Sequence, residues 1–358
     1  MKQKAMLSIS YTPSQYTFSS NLPKRLYINT DADSVNVSIL FNGSVIFSTT
    51  LYAFNKYAIL YDIRSVIEAH MVRYNRPFAK FQINAKTSTQ NVTTPDERYI
   101  IFSKVTINRS AKDFLQTSFL TTQKAYSIPR NAWQTIRFIP VSDNTIDKYT
   151  ECLVKDPAKP LPTILRIDEG STQFSPNILQ EIEISPDEIW RRLKTDAKLL
   201  SFTIHRGNLA KTFYVMDRVP DLILSAQNEF LQFEYIFLNC TTKHILNLDR
   251  AAAVCNGETS FCDDNTDTEY EVETTMLSYE DATRISLLLL SKSITIVTNI
   301  NENEEENIII TDITSEISDA DNATNSIKFK FKYKQNITPM DAPRPKNTFT
   351  VQYPPTFD

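Results

Sequence analysis

Glycine is scarce in this chain, with four residues in 358 against a typical share of roughly 7%. Turns must therefore use Asn, Asp and Pro, which tolerate a positive φ or fix a bend. The four glycines are also far apart, at Gly43, Gly170, Gly207 and Gly257. A glycine-rich phosphate-binding loop and a GxSxG nucleophile turn are thus excluded, and with them the usual fingerprints of dinucleotide-binding proteins, P-loop ATPases and α/β-hydrolases.

Cysteine is also rare, with four residues in the chain, too few to indicate a disulfide framework. Cys240, His244, Cys255 and Cys262 are spaced more widely than the ligand pairs of a zinc site, which usually lie about two to four residues apart. We therefore predict buried or incidental thiols, with no metal and no cofactor.

Long apolar runs are missing as well. Residues 1–6 start with a basic segment, but no apolar stretch of a secretory signal follows it. No run approaches the roughly 18 apolar residues of a membrane span. We expect a chain without a membrane segment that is made in a reducing cytoplasm.

Catalytic patterns are not evident. The three histidines, His70, His205 and His244, stand in unrelated contexts, and no serine or cysteine has a recognisable nucleophile setting. We predict that the protein is not an enzyme, although the two carboxylates of a glycosidase cannot be located from sequence. The net charge of −4 argues neither for nor against nucleic acid.

Apolar residues alternate along much of the chain, which predicts strands. Residues 34–41 and 44–51 alternate on either side of Asn42-Gly43, a pair typical of a β-hairpin turn. Another run, 269–274, carries glutamates on one face only. The expected fold is mainly β with a few short helices, in β-sandwich-like domains and an α+β C-terminal unit.

Three short helices are predicted from their N-terminal residues. Asp62 is placed to cap the first helix, and Ser185 opens the second with a capping box. Ser278 caps the third, whose apolar stripe is widened by Leu287 and Leu290, so that we expect this helix to be largely buried.

The composition suggests four parts of the chain. They are an N-terminal β-sandwich-like domain (1–120), a middle β-rich domain with one capped helix (121–227), a C-terminal α+β domain (228–335) and an extended proline-rich arm (336–358).

The run from Ile327 to Lys334 alternates lysines with aromatic residues. Single-strand nucleic-acid readers need both on one face, so nucleic acid is not the expected partner. We expect an edge or solvent-facing strand. The alternative hypothesis is that its lysines pair with the glutamates of 269–273. The acidic run 302–306 lacks the glycine of a calcium loop and is predicted to be a solvated loop. The candidate partner contacts are Lys328, Lys330, Lys332, Lys334, Pro343, Pro345, Pro354 and Pro355.

Several of these runs carry a family resemblance. These runs are similar to tail-associated structural proteins of Bacteroidetes phages and prophages, including crAss-like phages; they are 61–67, 228–230, 234–235, 249–250, 253–257, 268–274, 277–282, 308–312, 316–319 and 327–329. One departure is Leu231, where these proteins commonly carry glycine. The resemblance implies a β-rich virion protein in a ring, hub or baseplate of the tail. It also implies assembly in the host cytoplasm with other copies of itself and neighbouring tail proteins.

Two other functions remain open. A carbohydrate-binding or carbohydrate-processing β-sandwich is suggested by the many tyrosines, phenylalanines and carboxylates. Against it stand the missing export signal and the two tryptophans, Trp133 and Trp190, which lie in segments that read as structural. An internal virion protein that binds nucleic acid through the lysines of 328–334 is the third hypothesis.

Overall fold

A β-sandwich forms the N-terminal part of the chain. The computed structural model describes residues 6–123, 125–255, 258–299, 304–319 and 324–334, with backbone alone for 247–255, 258–267 and 299. The first strands and helix are β1 (Ser8–Ile9), β2 (Tyr16–Phe18), β3 (Arg25–Asn29), β4 (Ser34–Phe41), β5 (Ser44–Tyr52), β6 (Tyr57–Tyr61), α1 (Ile63–Arg73), β7 (Phe78–Lys86), β8 (Asn91–Thr93) and β9 (Tyr99–Ile101).

Two sheets make up this sandwich. One is six-stranded, in the order β2-β9-β7-β4-β5 with β8 added to β7, and the other is three-stranded, in the order β1-β3-β6. Alternate residues of β4, from Val35 to Phe41, are fully buried against residues such as Leu26 and Leu60 of the smaller sheet. The turn between β4 and β5 has positive φ at Asn42 and Gly43, as a two-residue hairpin requires, so the predicted hairpin is confirmed.

Helix α1 follows the three-stranded sheet directly and buries Ile63, Ile67 and Met71 in the sandwich core. Asp62 stands at its N-cap position but has a left-handed φ of 55° and caps no backbone N–H. Its carboxylate instead accepts a hydrogen bond of 2.7 Å from Ser65 Oγ. The predicted cap is therefore wrong in its bonding, although the helix begins where expected.

The middle of the chain carries a second set of sheets. Its elements are α2 (Ala111–Thr117), β10 (Ala125–Pro129), β11 (Gln134–Phe138), β12 (Thr145–Lys155), β13 (Thr163–Gln173), β14 (Gln180–Ile184), α3 (Pro186–Leu193), β15 (Lys198–Arg206) and β16 (Leu209–Met216). Five of the strands form a sheet in the order β10-β16-β15-β12-β13, and β11 pairs with β14. Helix α3 has Pro186 at its first position, but Ser185 makes no capping hydrogen bond, so the predicted capping box is not formed.

The C-terminal part is a seven-stranded sheet with one helix. Its elements are β17 (Leu222–Gln227), β18 (Phe233–Leu238), β19 (Cys240–Cys255), β20 (Glu258–Thr274), α4 (Tyr279–Leu289), β21 (Ile294–Asn299), β22 (Glu304–Glu316) and β23 (Ser326–Tyr333). The strand order is β18-β17-β21-β22-β23-β20-β19. With four short helices among its described residues, the fold is mainly β, as predicted.

Helix α4 confirms one prediction and corrects another. Ser278 Oγ accepts a hydrogen bond of 3.1 Å from the backbone N–H of Asp281, as expected of a cap. Ala282, Ile285 and their neighbours on one face are buried against the sheet. Leu287 and Leu290, however, are 55% and 70% exposed, so they do not widen the buried stripe.

The lysine strand β23 lies between β22 and β20, so it is not an edge strand. Lys328 Nζ lies 3.0 Å from Glu273 and Lys330 Nζ lies 3.7 Å from Glu269, so the lysine face does meet the glutamate face. Residues 304–306 of the acidic run begin β22 rather than forming a loop, whereas 301–303 lie outside the described residues.

None of the helices in the described part of the chain has the length and apolar character needed to cross a membrane. The prolines of the predicted arm, Pro343, Pro345, Pro354 and Pro355, lie outside the described residues. The division into four parts and the partner contacts at Lys328, Lys330, Lys332 and Lys334 stay predictions.

Candidate functional site

The cysteines and histidine considered as metal ligands do not lie together. In the β19–β20 register Cys240 stands opposite Thr274, and Cys255 stands opposite Glu258 at the far end. A strand of this length places the two cysteine backbones about 50 Å apart. Burial raises the pKa of the Cys240 thiol to about 12, so this thiol is not a nucleophile at neutral pH. Among the described residues no three metal-ligating side chains cluster.

A candidate binding surface is the solvent face of the three-stranded sheet. On β6, Ala58 and Leu60 point into the core, whereas Tyr57, Ile59 and Tyr61 point outward. On the neighbouring strand β3, Tyr27 stands directly opposite Ile59 in the antiparallel register. Both faces of β6 are therefore apolar, although only one is covered by the core.

Two further aromatic residues extend this face. Tyr52 ends β5 and is 82% exposed, and Phe54 follows it at 79% exposed. Together these side chains line a groove of about 590 Å³, which we call the tyrosine groove; its lining residues are Tyr27, Tyr52, Phe54, Asn55, Tyr57, Ile59 and Tyr61. Monomeric proteins rarely expose a continuous apolar patch of this kind unless it binds something.

One charged side chain contacts a ring of the tyrosine groove. The Arg25 guanidinium lies 5.5 Å from the centroid of the Tyr61 ring, within cation–π range. Among the described residues the four tyrosine hydroxyls of the groove have no hydrogen-bond partner, which leaves them free to donate to a ligand. The groove therefore offers apolar ring faces together with unused donors.

Sequence reasoning missed this groove. Alternation along a strand indicates which residues face the core, but it does not show which outward faces stay uncovered. The available signal was that both sets of alternate residues in 57–61 are apolar, which predicts either a strand covered on both sides or an apolar face open to solvent.

A second candidate is a buried charge cluster where the middle and C-terminal parts meet. Glu234 on β18 and Arg284 on α4 are 4% and 5% exposed, and Arg284 Nη2 lies 3.5 Å from Glu234 Oε2. The Tyr126 ring contacts both Arg284, at 4.3 Å from the ring centroid, and Lys211 Nζ, at 3.9 Å. Lys211 donates to the backbone carbonyl of Gln123.

The turn that leads into β18 is held by Asn228, which is itself buried. Its Oδ1 accepts hydrogen bonds from the backbone N–H groups of Phe230 and Gln232, at 2.8 and 3.0 Å. Its Nδ2 donates to Leu120 O at 3.0 Å and to Glu234 Oε1 at 2.7 Å. One amide thus connects the turn, the middle part and the charge cluster.

This turn also carries side chains into the N-terminal part. Phe230 packs with Phe18 and Phe114, and Leu231 packs in the sandwich core. Leu231 has a φ of 59°, a left-handed conformation that favours glycine. Leu231, where the resembling phage proteins commonly carry glycine, is therefore a buried residue in a backbone conformation that is strained for leucine.

Lys211 makes the stability of the fold depend on pH. Burial lowers the pKa of the Lys211 ammonium to about 7, whereas an unfolded lysine titrates near 10.4. Between about pH 7 and pH 8 the unfolded lysine keeps its proton while the folded one loses it, so Lys211 makes the free energy of unfolding rise with pH, by at most about 1.4 kcal/mol per pH unit. Above about pH 8 the buried thiols Cys152 and Cys240, whose pKa values burial raises to about 12, act in the opposite direction. Lys211→Met should remove this slope, as urea unfolding of both proteins at several pH values would show. An unchanged slope in the variant would contradict a buried, weakly basic Lys211.

Comparison with known proteins gives little guidance. No protein-family model matches the sequence, and no curated protein matches it. Among solved structures the chain is similar to a virion of a native gene transfer agent particle, with TM-score 0.21, 16% identity, and 31% of this chain and 88% of that chain covered.

Two further solved structures are similar at the same level. The tail of an empty gene transfer agent particle with C6 symmetry gives a TM-score of 0.21 and 12% identity over 31% of this chain and 89% of that one. The plexin A4 extracellular region gives 0.22 and 8% identity over 93% of this chain and 40% of that one. TM-scores this low carry no argument about function.

Proposed function

We propose that this chain is a structural component of a tailed-phage particle, which assembles with other copies of itself into a closed ring in a tail hub or baseplate. The observation that carries the proposal is the length of the pair β19 and β20, 16 and 17 residues, which we call the ribbon. The sequence resemblance to phage tail proteins supplies the biological setting.

The ribbon extends well beyond the sheet that anchors it. Strand β20 pairs with β23 only from Tyr270 to Glu273, and within the described residues the rest of β19 and β20 pair only with each other. An isolated two-stranded ribbon is marginally stable in water, and its free edges are templates for a further strand. A neighbouring subunit that covers the ribbon would remove both problems.

The tyrosine groove gives the same chain a second, different contact surface. A subunit with two unlike surfaces makes head-to-tail contacts, and such contacts close into a ring when the rotation between subunits is suitable. The ribbon and the groove together support an assembling subunit rather than a protein that acts as a monomer.

Shortening the ribbon tests this proposal. Leu246 stands opposite Thr268 in the register, so replacing residues 247–267 with Asn-Gly closes a shorter hairpin there. We expect light scattering to give a discrete oligomer for the full chain and a monomer near 41 kDa or below for the variant. If the ribbon contacts no neighbouring subunit, the shortened variant should form the same oligomer as the full chain.

A matched control is available in the middle sheet. Residues 156–162 join β12 to β13, and shortening that loop should leave the oligomer intact. Far-UV circular dichroism and thermal melting check that both variants fold.

A full chain that remains monomeric at every concentration would contradict self-assembly into a ring.

A carbohydrate-binding function is the second candidate, because the tyrosine groove presents ring faces and free hydroxyls to solvent. In that case a glycan array should show binding by the full chain that is lost in Tyr57→Thr.

A further inference from the structure

We propose that the tyrosine groove binds the proline-rich segment 336–358 of this same chain. In the assembly proposed above, the segment of one copy would occupy the groove of its neighbour. That last step rests on the proposed function, whereas binding of the segment to the groove does not.

The groove has the features that recognise a polyproline II helix. Such segments bind in grooves lined by aromatic side chains, where proline rings pack between the aromatic rings. Tyr57 and Tyr61 are separated along β6 by about 13 Å, which is the length of roughly four residues in a polyproline II helix. The hydroxyls of Tyr52, Tyr57 and Tyr61 are donors without partners in the described part of the chain.

The segment 336–358 offers the complementary chemistry. It contains Ala342-Pro343-Arg344-Pro345 and Tyr353-Pro354-Pro355, two short proline clusters. A polyproline II backbone makes no internal hydrogen bonds, so its carbonyls are free to accept from tyrosine hydroxyls. In a polyproline II conformation, at about 3.1 Å per residue, a segment of this length would span at most roughly 70 Å, enough to cross to another part of the molecule or to a neighbour.

The lining of the groove favours a peptide over a sugar. A sugar presents many hydroxyls, each of which needs a fixed donor or acceptor when it is buried. Besides its four tyrosine hydroxyls the groove supplies one side-chain amide, Asn55, and its lining contains no carboxylate. A peptide with apolar proline rings and a few carbonyls fits this distribution of polar atoms better.

A binding experiment in trans tests the inference directly. The receptor is the full chain with Pro343, Pro345, Pro354 and Pro355 replaced by alanine, so that its own segment does not compete. The probe is a fluorescent peptide of residues 336–358, followed by anisotropy. We expect saturable binding, and we expect the peptide with the same four Pro→Ala changes to bind about tenfold more weakly or not at all.

Matched receptor variants locate the binding surface. Tyr57→Thr should weaken binding of the peptide by about tenfold or more. Tyr214→Thr should have no effect, because Tyr214 lies on β16 outside the groove and is exposed to a similar extent, 55% against 51%. Melting temperatures show whether both variants remain folded.

The outcomes separate this inference from the proposed ring. Saturable, Tyr57-dependent binding by a full chain that is monomeric would support the docking and overturn the ring. An oligomeric full chain whose receptor variant shows no saturable binding would overturn the docking alone. Equal binding by the Tyr57→Thr and Tyr214→Thr receptors, or glycan binding that requires Tyr57 without peptide binding, would also overturn it.

Discussion

Replacing Arg284 with methionine is expected to lower the free energy of unfolding by about 3–5 kcal/mol. Arg284 and Glu234 are almost completely buried, and Arg284 Nη2 also donates to the Tyr235 carbonyl at 3.1 Å. Removing the guanidinium leaves the Glu234 carboxylate buried without this charge partner, and the hydrogen bond from Asn228 Nδ2 alone does not offset its desolvation. Chemical denaturation followed by circular dichroism measures the loss.

Arg191→Met provides the matched control. Arg191 Nη2 lies 2.6 Å from Asp187 Oδ2 on helix α3, but the arginine side chain is 70% exposed. Solvent screens such a pair, so its loss should cost less than about 1 kcal/mol. If the two methionine variants lost equal stability, the charge cluster would not hold the middle and C-terminal parts together.

An alanine variant is usually more stable than the glycine variant at the same position, and at Leu231 we expect this order to be reversed. Leu231→Ala removes a buried side chain from the sandwich core and should cost about 2–5 kcal/mol. Because φ at this position is 59°, Leu231→Gly relieves backbone strain of about 1–2 kcal/mol. We therefore expect the glycine variant to be more stable than the alanine variant by about 1 kcal/mol.

The same two substitutions at Leu26 give the comparison. Leu26 is fully buried in the same core but lies in the regular strand β3. There glycine should be less stable than alanine by about 0.5–1 kcal/mol. Urea unfolding of the four variants decides the matter, and the same order of alanine and glycine at both positions would argue against backbone strain at Leu231.

Local patterns were predictable from sequence where one short segment contains the whole cause. The Asn42-Gly43 turn and the Ser278 cap each follow from residues only a few positions apart. The contact of Lys328 with Glu273 was one of two alternatives that alternation allowed, because the pairing of the two distant strands does not follow from either segment alone. The caps at Asp62 and Ser185 failed because a side chain of the right type does not fix the backbone conformation that capping needs.

The candidate sites were not predictable in the same way. The charge cluster brings together Tyr126, Lys211, Glu234 and Arg284 from distant strands and a helix, so no local spacing indicates it. The tyrosine groove depends on which face of β6 the core covers, a matter decided by the packing of two sheets. Positive φ at Leu231 is likewise imposed by the buried bonds of Asn228 rather than by leucine itself.

Electron microscopy of the purified full chain tests self-assembly most directly. If the ribbon is covered by a neighbouring subunit, class averages should show closed rings of one symmetry, with the density of the ribbon at the contact between subunits. Single particles no larger than one chain, at concentrations where the protein remains folded, would contradict the account.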